Sequence, residues 1–488
     1  MHLHSFQIFG FKNFGAPVAL DGLGRVNVIH GDNNVGKSNL VEAVGFFFAL
    51  LEEYFEVPPL ATSTARSLER TSRTMQAYLS AAEKQAGGAL GQSRVLSFQH
   101  LEGMGYPALD IFHRTSSEVV GGKRAPLPIK MEAVLAFSHA SALEAGVVSD
   151  QDADAVERVR VALRLTRAGQ ECDLSLERFE ALGRDDATTP RSLSPTRRWG
   201  TFLTRRPALG ANGHLPRFAL THASRALAGE REPGPTRDPR DQIPSALAGA
   251  LWEAKESTEP AQRRVYERFR EAVSRFDELT GPGQVTAVYD RRTDRASLVF
   301  DRVDGDRIPM RLLGAGVQQM IGLIGRVVLN SGAILALEEP ELNLRYTRQL
   351  ELRDAFEKLV GSDGGPAQLL LTSHSPAFES GTEFYALSAG DDGPVIERRS
   401  VDEASRFTQH ELMAAPAGAH APLCYVSSEG LVQVPEDVLA MLGLQGGGGV
   451  IFIARKDTGH VEMLTDEQFD EILSSPVDGD DSESGDGA

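Results

Sequence analysis

Length, composition and charge place this chain among ordinary globular proteins and exclude several other classes. Its 488 residues predict two to four domains, and its 41% hydrophobic and 24% charged residues predict a well-formed core. The net charge of −18 argues against a generally basic nucleic-acid-binding protein, no apolar run approaches the ~20 residues that span a bilayer, and the two cysteines form no metal or redox motif, which predicts a cytoplasmic protein.

The N-terminal region ends in a motif for binding phosphate. Residues 2–30 predict two or three strands, of which the last is mostly apolar. The sequence GDNNVGKS then occupies 31–38 and fits the pattern G-x-x-x-x-G-K-[ST], and the apolar stretch 39–51 predicts a buried helix behind it. Glycines let backbone N–H groups approach phosphate, and the helix N-terminus adds a positive dipole end. We therefore predict that Lys37 contacts the β- and γ-phosphates of a nucleotide and that Ser38 holds Mg²⁺; a glycine-rich turn without a ligand is the alternative.

The middle of the chain predicts mixed structure and one basic cluster. Helices are expected over 60–86 and 259–280, strands over 129–138, 284–290 and 296–302, and a proline-rich loop over 229–244. Basic residues interleaved with aromatic ones can hold a nucleic-acid backbone and stack bases. A solvated, charged surface is the alternative interpretation. The candidate nucleic-acid contacts are Arg197, Arg198, Arg205 and Arg206, with Arg191 nearby, around Trp199 and Phe202.

Two apolar stretches in the C-terminal half end in polar side chains. Residues 333–337 predict a strand buried on both faces, and Glu338 and Glu339 follow at its C-terminal end, where sites in parallel sheets lie. We expect Glu338 to orient Mg²⁺ and Glu339 to polarise an attacking water, a solvated acidic turn being the alternative. A second predicted strand over 368–373 delivers His374, which could hydrogen-bond a γ-phosphate and sense its loss.

A glycine-rich helix start precedes the first of these strands. The sequence LLGAGVQQ occupies 312–319, and its helix N-terminus is a second anion site. One subunit would then have two such sites for one nucleotide, so the economical interpretation is that the second serves the γ-phosphate of a neighbouring subunit. The candidate residues are Gly314, Ala315, Gly316 and Gln318.

These motifs in this order resemble the ABC-type ATPases of the RecF/SMC/OLD group. The sequences EEPE (338–341) and GAGVQQ (314–319) look most like the OLD (overcoming lysogenization defect)-related ATPases of bacterial genome maintenance and phage defence. The resemblance implies an α/β fold, in which a P-loop ATPase head over 1–390 carries a helical insertion at about 55–280. It also implies a head-to-head homodimer, or a higher even oligomer, that sandwiches ATP and Mg²⁺. The implied site residues are Glu339 as catalytic base, His374 as switch histidine, Glu338 with Ser38 at the metal, and Gly31, Asn33, Asn34, Gly36, Lys37, Ser38 and Asn39 as nucleotide contacts.

The sequence departs from the family pattern in three respects. Gly314 and Ala315 stand where the signature usually offers a serine, so one contact in the neighbouring site would come from backbone alone. The loop glutamine that usually follows the early strands has only Gln99 as a candidate. Many OLD-type proteins also carry a Toprim nuclease domain, whose Glu-then-Asp-x-Asp pattern is missing after His374. We therefore expect slow or partner-dependent hydrolysis and disfavour a nuclease within this chain.

The C-terminal region predicts a small separate module. Residues 391–422 predict a linker, and 423–473 resemble the AbrB/MazE swapped-hairpin module in their order of strand, glycine turn, Val-Pro, short helix, Leu-Gly-Leu, glycine turn and two strands. That family often binds DNA through basic residues near the short helix, but Glu436 and Asp437 stand there, so dimerisation or partner docking is expected. An ordinary β-hairpin appendage is the alternative. The tail 474–488 is acidic and is predicted to be disordered.

Taken together, the motifs predict an ATPase that converts ATP and water to ADP and phosphate. Its cycle would close and open a dimer that acts on DNA or holds an effector protein in anti-phage defence or DNA maintenance, without a membrane partner. The alternative is a nucleotide-gated scaffold that holds and releases a separately encoded toxic nuclease, with little turnover.

Overall fold

The computed structural model describes residues 1–57, 93–113, 117–120, 123–148, 156–183, 190–207, 214–222, 245–274, 283–292, 294–342, 344–362, 364–378, 383–390, 393–399, 443–444, 450–455 and 460–465. The chain divides into two compact units, Met1–Ser400 and Val401–Ala488. Several sequence predictions lie outside the described residues: the helix over 60–86, the loop over 229–244, the part of the linker 391–422 that follows residue 399, the short helix of the C-terminal module and the acidic tail.

The described helices and strands occur in mixed order along the chain, and the last two strands lie in the second unit. The helices are α1 (Lys37–Tyr54), α2 (Phe98–Gly103), α3 (Ala108–Ile111), α4 (His139–Glu144), α5 (Arg197–Thr204), α6 (Ser245–Glu256), α7 (Pro260–Ser274), α8 (Ala315–Leu329) and α9 (Tyr346–Leu359). The strands are β1 (His2–Phe9), β2 (Val18–Asp21), β3 (Val26–His30), β4 (Ser93–Ser97), β5 (Ser117–Val120), β6 (Lys123–Pro126), β7 (Ile129–Ala136), β8 (Arg158–Ala168), β9 (Glu171–Leu182), β10 (Arg191–Ser192), β11 (Arg205–Pro207), β12 (His214–Pro216), β13 (Phe218–His222), β14 (Gly283–Asp290), β15 (Arg295–Arg302), β16 (Arg307–Pro309), β17 (Ile334–Glu338), β18 (Gln368–Ser373), β19 (Phe384–Gly390), β20 (Gly393–Arg399), β21 (Val450–Arg455) and β22 (His460–Thr465).

A mostly parallel sheet forms the centre of the first unit. Its described strands run in the order β13-β17-β18-β3-β19-β20, and only the edge strand β20 is antiparallel to its neighbour. Every residue of β17 and β18 is buried, as expected for a parallel strand covered on both faces. Ile334 and Ala336 face one hydrophobic core while Leu335 and Leu337 face another, because side chains alternate along a strand. The predicted α/β class and the doubly buried strand are therefore confirmed.

The two cores place helices on opposite faces of this sheet. Helix α1 joins the first core through a run of phenylalanines; Phe46 stacks on Phe11, and Phe48 stacks on Phe218. Helices α6 to α9 share the second core with the other face of β17 and β18. Burial of this kind contributes roughly 1.5–3 kcal/mol for each large apolar side chain. The helix behind the phosphate loop is thus anchored along its whole length, which fixes the loop that precedes it.

A second, antiparallel sheet comes largely from the region predicted as an insertion. Its described strands run β10-β9-β8-β7-β1-β2, with β4 paired to the other part of β9. The insertion is therefore not only helical, since its long strands β7, β8 and β9 extend the sheet begun by β1. In β8 the residues Val159, Val161, Leu163 and Leu165 are buried between outward arginines, the alternation of a half-buried strand.

The remaining predictions fit the structure with small shifts of boundary. The amphipathic helix spans 260–274, and the strand pair predicted over 284–302 appears as β14 and β15. The first unit continues to Ser400, because β20 pairs with β19 beyond the predicted boundary at 390. In the second unit β21 and β22 form an antiparallel hairpin where the module predicts its last two strands. Among the described helices, none is both long and apolar enough to cross a membrane.

Candidate nucleotide-binding site

The phosphate loop lies between β3 and α1, as predicted. Gly36 has φ of +111°, a conformation that side-chain-bearing residues rarely adopt, and a Cβ atom there would lie 2.3 Å from Nδ2 of Asn13. A Cβ atom on Gly31 would lie 2.3 Å from the carbonyl oxygen of Leu387 in β19. Both glycines of the motif are thus required by close approach of neighbouring atoms, which gives the motif a structural reason in this chain.

Asn13 holds the loop from outside. Its Nδ2 donates to the carbonyl oxygen of Val35 at 3.2 Å, and its Oδ1 accepts from Nδ2 of Asn39 at 2.9 Å. Asn39, predicted as a nucleotide contact, therefore braces the loop through Asn13 in this structure. The other predicted contacts Asn33 and Asn34 are exposed on the loop surface. The sequence motif gave no role to Asn13, which lies outside the pattern and comes near it only through the fold.

Lys37 is the charged group at the centre of the loop. Its side chain is 5% exposed, and Nζ donates to the carbonyl oxygens of Gly31 at 2.6 Å and Asp32 at 2.8 Å. Burial lowers the pKa of Lys37, and the negative charges of Glu339, Glu341 and Asp32 oppose this shift. Two carboxylates from the turn after β17 are thus close enough to act on the lysine of the phosphate loop.

The strand register brings the carboxylate turn level with the phosphate loop. Glu338 pairs with Thr372 of β18, and Thr372 pairs with Ile29 of β3, two residues before the loop begins. The N–H of Glu339 donates to the carbonyl oxygen of Thr372 at 2.9 Å, and its φ of +46° is unusual for a side-chain-bearing residue. Such strain clusters at functional sites and costs about 1–3 kcal/mol. The register thus brings the turn after β17 and the phosphate loop to the same edge of the sheet.

A third carboxylate of the turn was given no role by the sequence interpretation. Glu341 is 3% exposed, and its Oε1 accepts from Oγ of Ser373 at 2.7 Å and from the N–H of His374 at 2.9 Å. Nδ1 of His374 lies 3.3 Å from the same oxygen. The predicted switch histidine is therefore placed beside the carboxylate turn. The sequence signal that could have revealed this contact is the third acidic residue of EEPE.

The residues predicted to serve a neighbouring subunit divide into two groups. Gly314 and Ala315 are exposed at the start of α8, where no side chain caps the helix. Gln318, in contrast, is 2% exposed, and its Nε2 donates to the carbonyl oxygen of Leu313 at 2.9 Å. The side chain of Gln319 donates to the carbonyl oxygen of Pro340 at 3.2 Å and so ties α8 to the carboxylate turn. An exposed backbone edge is thus available for an anion, whereas the Gln318 side chain is held within its own subunit.

The residues present fit a nucleotide-bound magnesium ion. Ser38 is exposed in the first turn of α1, and Glu338 ends β17 at the same edge of the sheet. Both are oxygen ligands, which Mg²⁺ prefers, and Mg²⁺ is usually bound by one or two protein oxygens together with phosphate and water. Among the described residues there is no cluster of three or more His, Cys, Asp or Glu suited to a metal. Phosphate oxygens and water would have to complete the coordination.

The arginine cluster is only partly accessible. Arg205 is 6% exposed and pairs with Glu52 at 3.0 Å, and Arg206 is 5% exposed and donates to the carbonyl oxygen of Ser331 at 2.6 Å. Trp199 is buried as well, so it is not available to stack on bases. Among the predicted nucleic-acid contacts, Arg198 is exposed and Arg197 half-buried at the start of α5, where Arg197 pairs with Glu56. The geometry does not fit a backbone contact by all four arginines.

A protein-family model matches the C-terminal part of this site. Residues 242–378 match the AAA_15 family, described as an AAA ATPase domain; this stretch includes the start of α8, the carboxylate turn and His374, and it excludes the phosphate loop. A search of curated proteins finds no match.

Solved structures of SMC heads align over most of the chain at low identity. The SMC head domain from Thermotoga maritima is 14% identical, covers 82% of this chain and 100% of its own, and has a TM-score of 0.41. A head with an extended coiled coil, bound to the C-terminal domain of ScpA derived from Pyrococcus furiosus, is 12% identical, with 84% and 99% coverage and a TM-score of 0.45. An SMC head bound to the C-terminal winged-helix domain of ScpA is 14% identical, with 83% and 100% coverage and a TM-score of 0.43.

Proposed function

We propose that this chain binds ATP at the carboxyl edge of the parallel sheet and hydrolyses it to ADP and phosphate. The observation that carries the proposal is the meeting of two independent motifs. Lys37 of the phosphate loop is buried at the edge of the sheet where the strand register places the turn that carries Glu339 and Glu341. A structural glycine turn would have no need for this arrangement, because a buried lysine costs free energy that a neutral residue would avoid.

The protein groups divide the work of binding between them. The α1 N-terminus and the loop N–H groups favour an anion, and Lys37 adds a point charge for the β- and γ-phosphates. Ser38 and Glu338 would hold Mg²⁺, which supplies charge neutralisation for the phosphates when bound. The braced loop keeps these donors in place, because Asn13 fixes Val35 and Asn39 from the other side. A rigid, pre-formed loop loses less entropy on binding its ligand.

Glu339 is the residue best placed to act as general base. Its N–H donates to the carbonyl oxygen of Thr372 in β18, and the residue is half-buried. The negative charge of Glu339 raises the pKa of Lys37. In the proposed step Glu339 takes a proton from water as the water oxygen bonds to the γ-phosphorus. The bond from that phosphorus to the bridging oxygen breaks, and the electron pair leaves with ADP. His374 would contact the γ-phosphate from the end of β18.

Two finer assignments go with this proposal. The exposed start of α8 at Gly314 and Ala315 suits an anion from a second subunit, which would make the active form an ATP-gated homodimer of the OLD/RecF type in phage defence or DNA maintenance. The partner would be DNA or an effector protein. The alternative is a nucleotide-gated scaffold with little turnover, which would hold and release a separately encoded toxic nuclease. The motif resemblance and the exposed start of α8 support the ATP-gated homodimer over the scaffold.

Glu339→Gln tests the proposed chemistry, and the turnover of the wild-type protein separates the two alternatives. The amide cannot accept the proton, so the variant should bind ATP normally while hydrolysing it at least ~100-fold more slowly. Glu357→Gln, on the exposed side of α9, is the matched control and should behave as wild type. A Glu339→Gln variant with near-normal turnover would place the base elsewhere. A wild-type protein that binds ATP but shows no turnover would favour the scaffold.

A further inference from the structure

The end of β18 is folded around one oxygen of Glu341. Oε1 of Glu341 accepts from Oγ of Ser373 at 2.7 Å and from the N–H of His374 at 2.9 Å. Oγ of Ser373 accepts in turn from the N–H of Ser375 at 3.0 Å. Since the carboxylate is 3% exposed, these donors replace the water that would otherwise solvate it. The backbone on both sides of His374 is therefore fixed by a residue of the neighbouring turn.

The backbone of Glu341 is itself held firmly. The carbonyl oxygen of Glu341 accepts from the N–H of Leu344 at 3.0 Å, and the carbonyl oxygen of Pro340 accepts from Gln319 at 3.2 Å. A carboxylate on so fixed a support can set the position of a neighbouring ring, because its own rotamer and backbone are both constrained.

The ring of His374 lies within reach of the same carboxylate. Nδ1 of His374 is 3.3 Å from Oε1 of Glu341, and within the described residues this nitrogen makes no hydrogen bond. The second oxygen of Glu341, Oε2, is also buried without a hydrogen-bond partner among them. A small rotation of the imidazole would direct an Nδ1–H group at the carboxylate, since χ2 of histidine is a soft torsion. A small rotation of the ring is thus enough to form the hydrogen bond from Nδ1 to Glu341.

We propose that Glu341 is the positioning residue of His374: it holds the imidazole with its proton on Nδ1, so that Nε2 faces the phosphate edge of the sheet. The hydrogen bond at one ring nitrogen decides the state of the other. A carboxylate at Nδ1 excludes the tautomer protonated only at Nε2. When Nε2 also carries a proton, its N–H can donate to a phosphate oxygen. This role deepens the proposed ATPase function and rests on it only for the identity of the phosphate.

Glu341→Gln would not hold the imidazole of His374 in the same protonation pattern. Its Oε1 could still accept from Ser373 and from the N–H of His374, so the strand end would remain folded. Its Nε2 would lie where Oε2 now is, or would face Nδ1 as a donor. Glu341→Gln therefore removes the charge and leaves most of the backbone contacts. This makes it the variant that separates positioning of the ring from support of the strand.

The first test is the tautomer of His374 in the full chain without nucleotide. Imidazole ¹⁵N chemical shifts distinguish the two tautomers and the cation, and His374→Gln identifies the signal among the 12 histidines. Wild type and Ser373→Ala, which keeps the carboxylate, should show a protonated Nδ1. Glu341→Gln should shift toward the tautomer protonated at Nε2. A wild-type ring protonated only at Nε2 would overturn the proposal, as would an unchanged signal in folded Glu341→Gln.

The second test is steady-state ATP hydrolysis. Misplacing one reacting or contacting group by about 1 Å can cost on the order of 100-fold in rate. Glu341→Gln should therefore lower kcat by about 10- to 100-fold with KM within about threefold, whereas a collapsed site would raise KM. If Glu341→Gln fails to fold, the wild-type tautomer still decides the proposal. A wild type with the expected tautomer but no ATP hydrolysis would refute the proposed function and leave the contact between Glu341 and His374 standing.

Discussion

Gln368 is expected to be one of the most stabilising polar side chains in the first unit. It lies at the start of β18 with no exposed surface, and its Oε1 accepts from the N–H of Leu3 at 2.8 Å. Its Nε2 donates to the carbonyl oxygens of Leu3 and Gly24, both at 2.8 Å. The side chain therefore continues the ladder of β1 and joins the antiparallel sheet to the parallel one.

Gln368→Met keeps the approximate volume and removes all three hydrogen bonds. The carbonyl oxygen of Gly24 keeps its hydrogen bond from Nδ2 of Asn27 at 3.0 Å, whereas the two backbone groups of Leu3 stay buried. A buried backbone group left without a partner costs about 1–3 kcal/mol, so the two groups together should cost about 2–6 kcal/mol. Such a loss is a large part of a typical domain stability of about 5–15 kcal/mol.

Urea denaturation followed by tryptophan fluorescence measures this loss, since Trp199 and Trp252 both lie in the first unit. Gln99→Met is the matched control: Gln99 is exposed on α2, and surface substitutions usually change stability by less than about 0.5 kcal/mol. A Gln368→Met variant that loses less than about 1 kcal/mol would refute the reasoning, because Leu3 would then have found other partners at little cost.

Two further predictions concern a thiol and the arginine cluster. Burial raises the pKa of Cys172 to about 11 from an ordinary value of 9.0, with Arg167 opposing the shift. The folded state then holds the thiol proton more tightly, so this contribution to stability is complete below about pH 9 and is lost as the pH rises through about 11. Denaturation between these pH values should show the loss in wild type and not in Cys172→Ala. For the cluster, Arg198→Glu should weaken any salt-sensitive DNA binding while the fold remains, and Lys358→Glu on α9 should not; equal effects of the two variants, or no DNA binding by wild type, would remove the nucleic-acid role.

The parts of the site that sequence predicted best are those in which a local pattern dictates the chemistry. The phosphate loop requires glycine at 31 and 36 for close approach, and the fold shows both requirements directly. The strand before Glu338 is apolar throughout because it is covered on both faces. Parallel strands then bring their carboxyl ends to one edge, so the meeting of Lys37 with the carboxylate turn follows from strand order alone.

The parts that sequence missed depend on contacts between distant segments. No strand is predicted over 150–208, yet β8 and β9 form a long hairpin there. Arg160 of β8 pairs with Glu132 of β7 and with Glu180 of β9. The buried Val and Leu residues of β8 alternate with arginines, which is the pattern of a half-buried strand. Arg206 is predicted as a nucleic-acid contact, but its guanidinium donates to the carbonyl oxygens of Pro216 and Ser331. Asn13 and Glu341 likewise act through partners that no local pattern reveals.

ATP affinity of Lys37→Ala is the most direct measurement of the central claim. Isothermal titration of ATP with Mg²⁺ should show binding to wild type and to the control Lys358→Ala, which changes an exposed lysine on α9. Lys37→Ala removes the buried charge of the phosphate loop and should lose at least ~100-fold in affinity, equivalent to about 2.7 kcal/mol. Unchanged affinity in a folded Lys37→Ala protein would contradict the assignment of this edge of the sheet as the nucleotide site.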